Sequence, residues 1–157
     1  MKNEQGQKNI KIDALSIDII KELSRGGQPM AQIAAKLKVS EGTVRNRINK
    51  LERAGILDRC GLADMEALPG HMVILVGIKL TTPHLLDKAE ELKGLRGVVS
   101  SLVVTGSYDI FLVVILNEDF GLLEFFNEEF ARHSEGVQTT DTFVIYKSFG
   151  FKLPYVL

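Results

Sequence analysis

Two stretches of this 157-residue chain hold side chains whose types and spacing suit specific chemistry. The first runs from Ser40 to Gly55. Val44, Ile48 and Leu51 recur at i, i+4 and i+7, the narrow apolar stripe of a helix. At about 3.6 residues per turn, Gly42, Asn46, Asn49 and Arg53 face the other way, flanked by Thr43, Arg45 and Lys50. Amides, a hydroxyl and cations with no acid at their centre suit a DNA major groove. Arg and Asn pair with base edges, and Arg and Lys neutralise phosphates. The same pattern also describes an ordinary solvated helix face. The second stretch is Thr105-Gly106-Ser107-Tyr108-Asp109. A tight turn at Gly106 and Ser107 offers backbone N–H groups to a carboxylate. Asp109 offers an acceptor to an α-ammonium group. A zwitterion needs one of each. The structural alternative has Gly106 for a positive φ and Asp109 as a turn-stabilising acceptor. Leu95, Gly97 and Val98 are candidates to border the same pocket, with Thr140 and Asp141 on a later strand.

Other chemistries lack their residues. His71, His84 and His133 are scattered without paired ligand spacing, so neither a metal site nor a cofactor is expected. No nucleophile–base signature or glycine-rich phosphate loop is present. Cys60 is the single cysteine, which rules out an intrachain disulfide and fits a reducing cytoplasm. It reads as a half-buried strand residue.

Helices must carry the first stretch. Ser40 is an N-cap, Glu41 puts negative charge at the positive end of the dipole, and Gly55 fits the left-handed position after the last turn. Asp13 caps an earlier helix over 14–24, with Leu15, Ile19, Ile20 and Leu23 inward and Gly26-Gly27 after it. Pro29 suits the first turn of a second helix ending near Leu37. Lys38-Val39-Ser40 is then the turn of a helix-turn-helix. Ile56–Leu62 reads as a strand leading out, and 64–70 as a linker. Residues 1–9 read as a loose polar tail.

After His71 the pattern changes. Strands are expected over 72–80, 98–105, 108–116 and 137–148. One helix is expected from Pro83 to Lys93, with Leu85, Leu86, Ala89 and Leu92 inward. Another is expected from an Asp119 cap to His133, with Leu122, Leu123, Phe126 and Phe130 inward. The order β-α-β-β-α-β is the ferredoxin-like arrangement, with two helices on one face of an antiparallel sheet. Ile110–Leu116 is apolar at every position, so the sheet's other face, bare within the chain, calls for a partner subunit. Phe125, Phe126 and Phe130 recur at helical spacing and read as core.

Charge divides the chain at the same place. Residues 1–60 hold twelve Lys/Arg and seven Asp/Glu, and 61–157 hold seven and thirteen. A basic front and an acidic back suit a nucleic-acid domain joined to another kind of domain. The expected division is therefore 1–60 for DNA binding, 61–70 as linker and 71–157 for ligand binding and oligomerisation. The longest apolar run, Ile110–Leu116, is far short of a membrane span, and the N-terminus has no apolar signal-peptide core.

With these motifs the chain resembles the Lrp/AsnC, or feast/famine, family of regulators over nearly its whole length after Asn9. Ile12-Asp13 matches the family's Leu-Asp opening, although Ser16 stands where a second acid is usual. Leu51-Glu52-Arg53-Ala54-Gly55-Ile56 matches the end of its reading helix, and Thr105 to Asp109 its Thr-Gly-x-Tyr-Asp motif. Cys60 replaces an aromatic often found in the linking strand. The resemblance implies an α+β protein: a winged-type helix-turn-helix domain followed by a ferredoxin-like βαββαβ effector (RAM) domain. It implies a transcription regulator of double-stranded DNA that forms homodimers and assembles up to octamers. It also implies a small effector, commonly an amino acid, bound between neighbouring effector domains. By the same resemblance Ser40, Gly42, Thr43, Arg45, Asn46, Asn49, Lys50 and Arg53 would face DNA. Gly106, Ser107, Tyr108 and Asp109 would face the effector. Sirohaem decarboxylases resemble the family in both domains, so an enzyme is the alternative. Such an enzyme needs a cavity lined with His, Arg and Tyr, which the C-terminal half supplies only sparsely. A vestigial effector site is a third reading.

Overall fold

Asp13 starts the first helix by accepting the backbone N–H of Ser16 at 2.9 Å. The computed structural model describes residues 12–157, and the tail expected over 1–9 lies outside them. Helix α1 spans Ala14–Ser24, α2 spans Met30–Leu37 and α3 spans Glu41–Arg53. Lys38 closes α2 in the left-handed region at φ 56°, and Ser40 Oγ caps α3 by accepting the Thr43 N–H at 3.1 Å. Ile19 of α1, Ile33 and Ala34 of α2, and Val44 and Ile48 of α3 form one buried cluster. The stripe assigned to α3 is its buried face, with Leu51 also enclosed.

The expected strand over Ile56–Leu62 does not form. Gly55 turns the chain at φ 66°, Ile56 is 41% exposed, and only Leu62–Ala63 (β1) pair with another strand. Asp58-Arg59-Cys60-Gly61 supplies no alternating apolar residues for a sheet to bury. Cys60 is correspondingly exposed rather than half-buried in a strand. Residues 12–59 therefore hold a helix-turn-helix without a β-wing. The chain forms two compact units, divided between Arg59 and Cys60.

In the second unit, β2 (Met72–Leu80) leads to α4 (Leu85–Lys93), β3 (Val98–Val103) and β4 (Ile110–Leu116). A helical segment over 122–133 (α5) and β5 (Val137–Val144) follow. The sheet order is β3-β4-β2-β5, antiparallel throughout, which is the ferredoxin-like order. A last strand, β6 (Leu153–Pro154), pairs with β1. β3 and β5 are two and four residues shorter than their sequence patterns suggest.

One sheet face buries Ile74, Val76 and Ile78 of β2 with Ile110, Leu112 and Val114 of β4, under Ala89 and Leu92 of α4. Three inward assignments change, at Leu86, Leu122 and Leu123. Leu86 is 75% exposed, because Lys88 takes the inward side of α4. The Lys88 stem is buried while its Nζ donates to Glu91 Oε2 at 2.8 Å and to the His133 carbonyl at 3.1 Å. Nor is Asp119 a helix cap. Asn117 Oδ1 accepts the N–H groups of both Asp119 and Phe120, and α5 starts at Leu122. A π-helical turn over Phe125–Glu129 then inserts a residue, with the Phe130 N–H reaching back five residues to the Phe125 carbonyl. Phe125, at the start of this turn, is fully buried, whereas Leu122 and Leu123 ahead of it are 37% and 72% exposed. Phe125 packs edge-on to Phe120, with centroids 6.3 Å apart.

The opposite face is not wholly bare. Val73, Val113 and Ile115 are buried beneath Met65, in a 3₁₀ turn over Met65–Ala67, and beneath Leu153 of β6. The residues expected to be linker are thus packed onto the sheet. Glu66 fastens this cover by accepting from Lys147 Nζ at 2.7 Å and from the Ser148 N–H. Those donors hold its carboxyl down to about 2. Cover stops halfway along: Leu75 and Phe111 are half-buried, and Phe143 is 44% exposed.

Gly97 sits at φ +81°, and a Cβ there would lie 2.6 Å from the Ile115 carbonyl oxygen. Gly97→Ala should therefore destabilise the effector domain by roughly 2 kcal/mol or more, read as a lower midpoint in urea. An unchanged midpoint would contradict this close approach.

Candidate DNA interface and effector site

On α3, Ser40, Gly42, Arg45, Asn46, Lys50 and Arg53 are exposed, and Thr43 and Asn49 are half-buried. Thr43 Oγ1 lies 2.8 Å from Ser40 Oγ, so both hydroxyls are engaged at the cap. Arg45 donates to Glu41 Oε1 at 2.8 Å, an exposed pair one turn apart. Such pairs contribute little and exchange readily with solvent or phosphate. The side chains of Asn46, Asn49, Lys50 and Arg53 make no hydrogen bond within the described residues. Their polar atoms are available to a partner.

Arg47 behaves differently, and sequence reasoning missed it. Its guanidinium donates to Asp13 Oδ2 at 2.6 Å and to Ser16 Oγ at 3.1 Å, locking α3 to the start of α1. The Ser16 hydroxyl in turn donates to Asp13 Oδ1 at 2.8 Å. Ser16 is buried, with its hydroxyl beside the same guanidinium. The Ser16 N–H and hydroxyl, with Arg47, hold the Asp13 carboxyl down to about 2. A second cross-helix lock joins α1 to α2, where buried Glu22 accepts from Lys36 Nζ at 2.7 Å and from Arg25. The signal for both locks was an acid at a helix position that should be apolar or capping, with a cation far along the chain.

In the second unit, five of the nine candidate effector residues come together. Gly106 adopts φ +114° with nothing within 4 Å of where a Cβ would lie, and Ser107 is exposed. Among the described residues the N–H groups of Gly106, Ser107 and Tyr108 have no partner. The Tyr108 ring lies over Gly77, where a Cβ would be 2.8 Å from the ring, and its hydroxyl donates to Asp141 Oδ2 at 3.1 Å. Burial, then Asp141, raises the Tyr108 phenol above its usual range. Asp141 lies opposite Gly77 on β2, and Phe111 and Phe143 pack edge-on to Tyr108 at 5.0 and 6.0 Å.

Asp109 already has donors of its own. Its Oδ2 accepts the Leu80 N–H and its Oδ1 accepts Lys79 Nζ, both at 2.9 Å. These donors, the Leu80 N–H first, lower its carboxyl below the usual range. The residue ties the turn to the end of β2. Thr140 lies opposite Ile78, one residue along from Asp141, and so on the other face of the sheet. Leu95 and Val98 are buried on the helix side, and Gly97 is closed against β4. They stand at the far end of the β3–β4 ladder from the turn, about 16 Å away at about 3.3 Å per residue. Within one chain these four do not share a pocket with Gly106. No helix among the described residues is long and apolar enough to cross a membrane.

A helix-turn-helix with a free polar face, followed by a ferredoxin-like domain with a receptive turn, defines a DNA-binding transcription regulator with a ligand-binding domain. Residues 12–58 match the winged helix-turn-helix DNA-binding family, and residues 73–151 match the Lrp/AsnC ligand binding domain. The chain belongs to the Lrp/AsnC family of transcriptional regulators. It is 32% identical over 111 residues to the transcriptional regulator LysM of Saccharolobus solfataricus, covering 68% of this chain and 75% of that protein. The crystal structure of PH0061 superposes with a TM-score of 0.75 at 25% identity, over 90% of this chain and 97% of that one. The Neisseria meningitidis regulator NMB0573, solved with L-Met, has the same fold, with a TM-score of 0.66 at 19% identity over 92% and 95% of the two chains.

The lowered Asp13 carboxyl sets a pH signature. Its contribution to folding is complete above the unfolded value near 3.8 and is lost as pH falls towards about 2. The Ser16 amide resonance should titrate with a midpoint near pH 2 in the wild type and stay flat in Asp13→Asn. A midpoint near 4 would mean the lock is absent.

Proposed function

We propose that α3 is the reading helix, that the regulator binds DNA as a homodimer or larger closed assembly, and that its effector is an amino acid. The observation that carries the DNA reading is the set of unengaged side chains on one face of α3: Asn46, Asn49, Lys50 and Arg53. Arg45 joins them once its exposed pair with Glu41 opens, and Gly42 allows close backbone approach. Site of action is the cytoplasm, in keeping with one free thiol at Cys60. The role is regulatory rather than catalytic, in keeping with relatives named as regulators.

The effector reading rests on the free N–H groups at Gly106, Ser107 and Tyr108, which suit a carboxylate. Asp141, beside Tyr108 and otherwise exposed, suits the ammonium group. Asp109 shapes the turn from behind. The L-Met bound by NMB0573 makes amino acids the first class to test. Leu95, Gly97, Val98 and Thr140 enter such a site only from a neighbouring subunit. The aromatic patch of half-buried Phe111 and exposed Phe143 supports a second copy as the cover of the open sheet face.

Three outcomes follow. The triple alanine variant of Asn46, Asn49 and Arg53 should lose operator preference, each base contact being worth about 1–3 kcal/mol, while Lys50→Ala weakens all DNA alike. Unchanged operator affinity in the triple variant would remove α3 as the reader. In calorimetry against the common amino acids, Asp141→Ala should abolish binding and leave DNA affinity intact. Equal binding by the wild type and the variant would displace the ammonium site. Phe143→Asp should reduce the mass of the assembly in light scattering, and an unchanged mass would leave the open face without its assigned cover.

A further inference from the structure

The turn that suits a carboxylate and the acid that suits an ammonium group stand far apart. The sheet order β3-β4-β2-β5 puts β2 between the strand that follows the turn and the strand that holds Asp141. Val104 donates its N–H to the Asp109 carbonyl at 3.0 Å, so the turn proper is 105–108, between β3 and β4. It lies more than two strand spacings of about 4.8 Å from β5. Asp141 is also level with Gly77 and Phe111, and Phe111 is two residues along from Asp109, at about 3.3 Å each. The two backbones are therefore about 14 Å apart. Tyr108 spans this gap with its side chain: its ring crosses over Gly77 before its hydroxyl meets Asp141 Oδ2 at 3.1 Å.

An α-ammonium group and its own carboxylate share one carbon and stand about 2.5 Å apart at ordinary bond lengths. With a hydrogen bond of about 2.9 Å at each end, such a zwitterion reaches across about 8–9 Å. The Asp141 side chain shortens the gap by about 3 Å, to about 11 Å. An amine on a four-carbon stem covers the remainder. Charge points the same way. Asp109 and Lys79 pair at 2.9 Å and cancel. Asp141 is exposed, and its one hydrogen bond among the described residues comes from the neutral Tyr108 hydroxyl. The site thus keeps one uncompensated negative charge. A neutral zwitterion leaves it so, whereas an amino acid with a second amine cancels it.

We propose that the effector is a basic amino acid of lysine type, its α-carboxylate on the turn amides and its side-chain amine on Asp141. This rests on the assignment of the turn and Asp141 to an amino-acid effector, and adds which amine Asp141 holds. The half-buried Tyr108 ring lies along the path between them and gives the carbon stem an apolar track. The α-ammonium group is left to solvent and is dispensable.

Calorimetry on the full-length protein with three ligands tests this. L-lysine carries all three groups, ε-aminocaproate lacks the α-ammonium group, and L-norleucine lacks the side-chain amine. ε-Aminocaproate should bind within about tenfold of L-lysine, and L-norleucine at least about tenfold more weakly, the loss of one charge-assisted bond. In Asp141→Asn, L-lysine should fall to the level of L-norleucine. L-lysine bound equally by the wild type and Asp141→Asn would overturn the inference, and so would ε-aminocaproate failing where L-lysine binds. L-norleucine bound as tightly as L-lysine by the wild type, and lost in Asp141→Ala, would overturn the basic class and leave the amino-acid site standing. If no amino acid binds the wild type, both fail.

Discussion

The pairing of β2 with β4 constrains everything else in the second unit. Both strands are apolar at nearly every position, and their register places Val76 against Leu112 and Leu75 against Val113. Such a ladder buries side chains on both faces, at about 1.5–3 kcal/mol for each one fully enclosed. Helices α4 and α5 cover one face. The other receives only Met65 and Leu153, which reach Val73 and Ile115 and leave Leu75, Phe111 and Phe143 short of cover. The exposed end holds Tyr108, Asp141 and the turn at Gly106. The same shortage of apolar cover thus leaves the effector candidates beside an open, partly apolar stretch of sheet.

Elements whose signal was periodic were legible in the sequence. α1 and α3 have their assigned cap residues, and β2 its assigned ends, because Asp13, Ser40 and strict apolar runs act locally. What was not legible depended on distant partners. β1 and β6 are two residues each and exist only as a pair across ninety residues of sequence. The π turn in α5 follows from fitting Phe125 between Phe120 and Phe130, a packing demand that helical spacing does not encode. Leu86 and Lys88 exchanged roles because Glu91 and the His133 carbonyl satisfy the ammonium group.

The candidate sites divide in the same way. Residues on one helix face were assignable from spacing alone, since about 3.6 residues per turn fixes where Asn46 and Arg53 point. Arg47 falls at the edge of that face, and only Asp13 and Ser16, more than thirty residues away, reveal its task of seating α3. In the effector motif, sequence gave Asp109 the ammonium role. Asp109 accepts from Lys79 and Leu80, and Asp141, beside Tyr108, is the more exposed of the two acids. Spacing identifies residue types that share a segment, whereas the partners of a carboxylate are set by tertiary structure.

Reading of DNA by α3 within a two-fold assembly, as proposed, ties the bound sequence to the symmetry of the protein. Sequencing of fragments bound by the purified full-length protein from its source genome, with and without an amino-acid mixture, tests this most directly. Such a reader should select a shared inverted repeat whose half-sites are spaced by multiples of about one DNA turn, 34–36 Å. Occupancy should change with the mixture. Fragments with no common repeat, retained equally in both conditions, would contradict it.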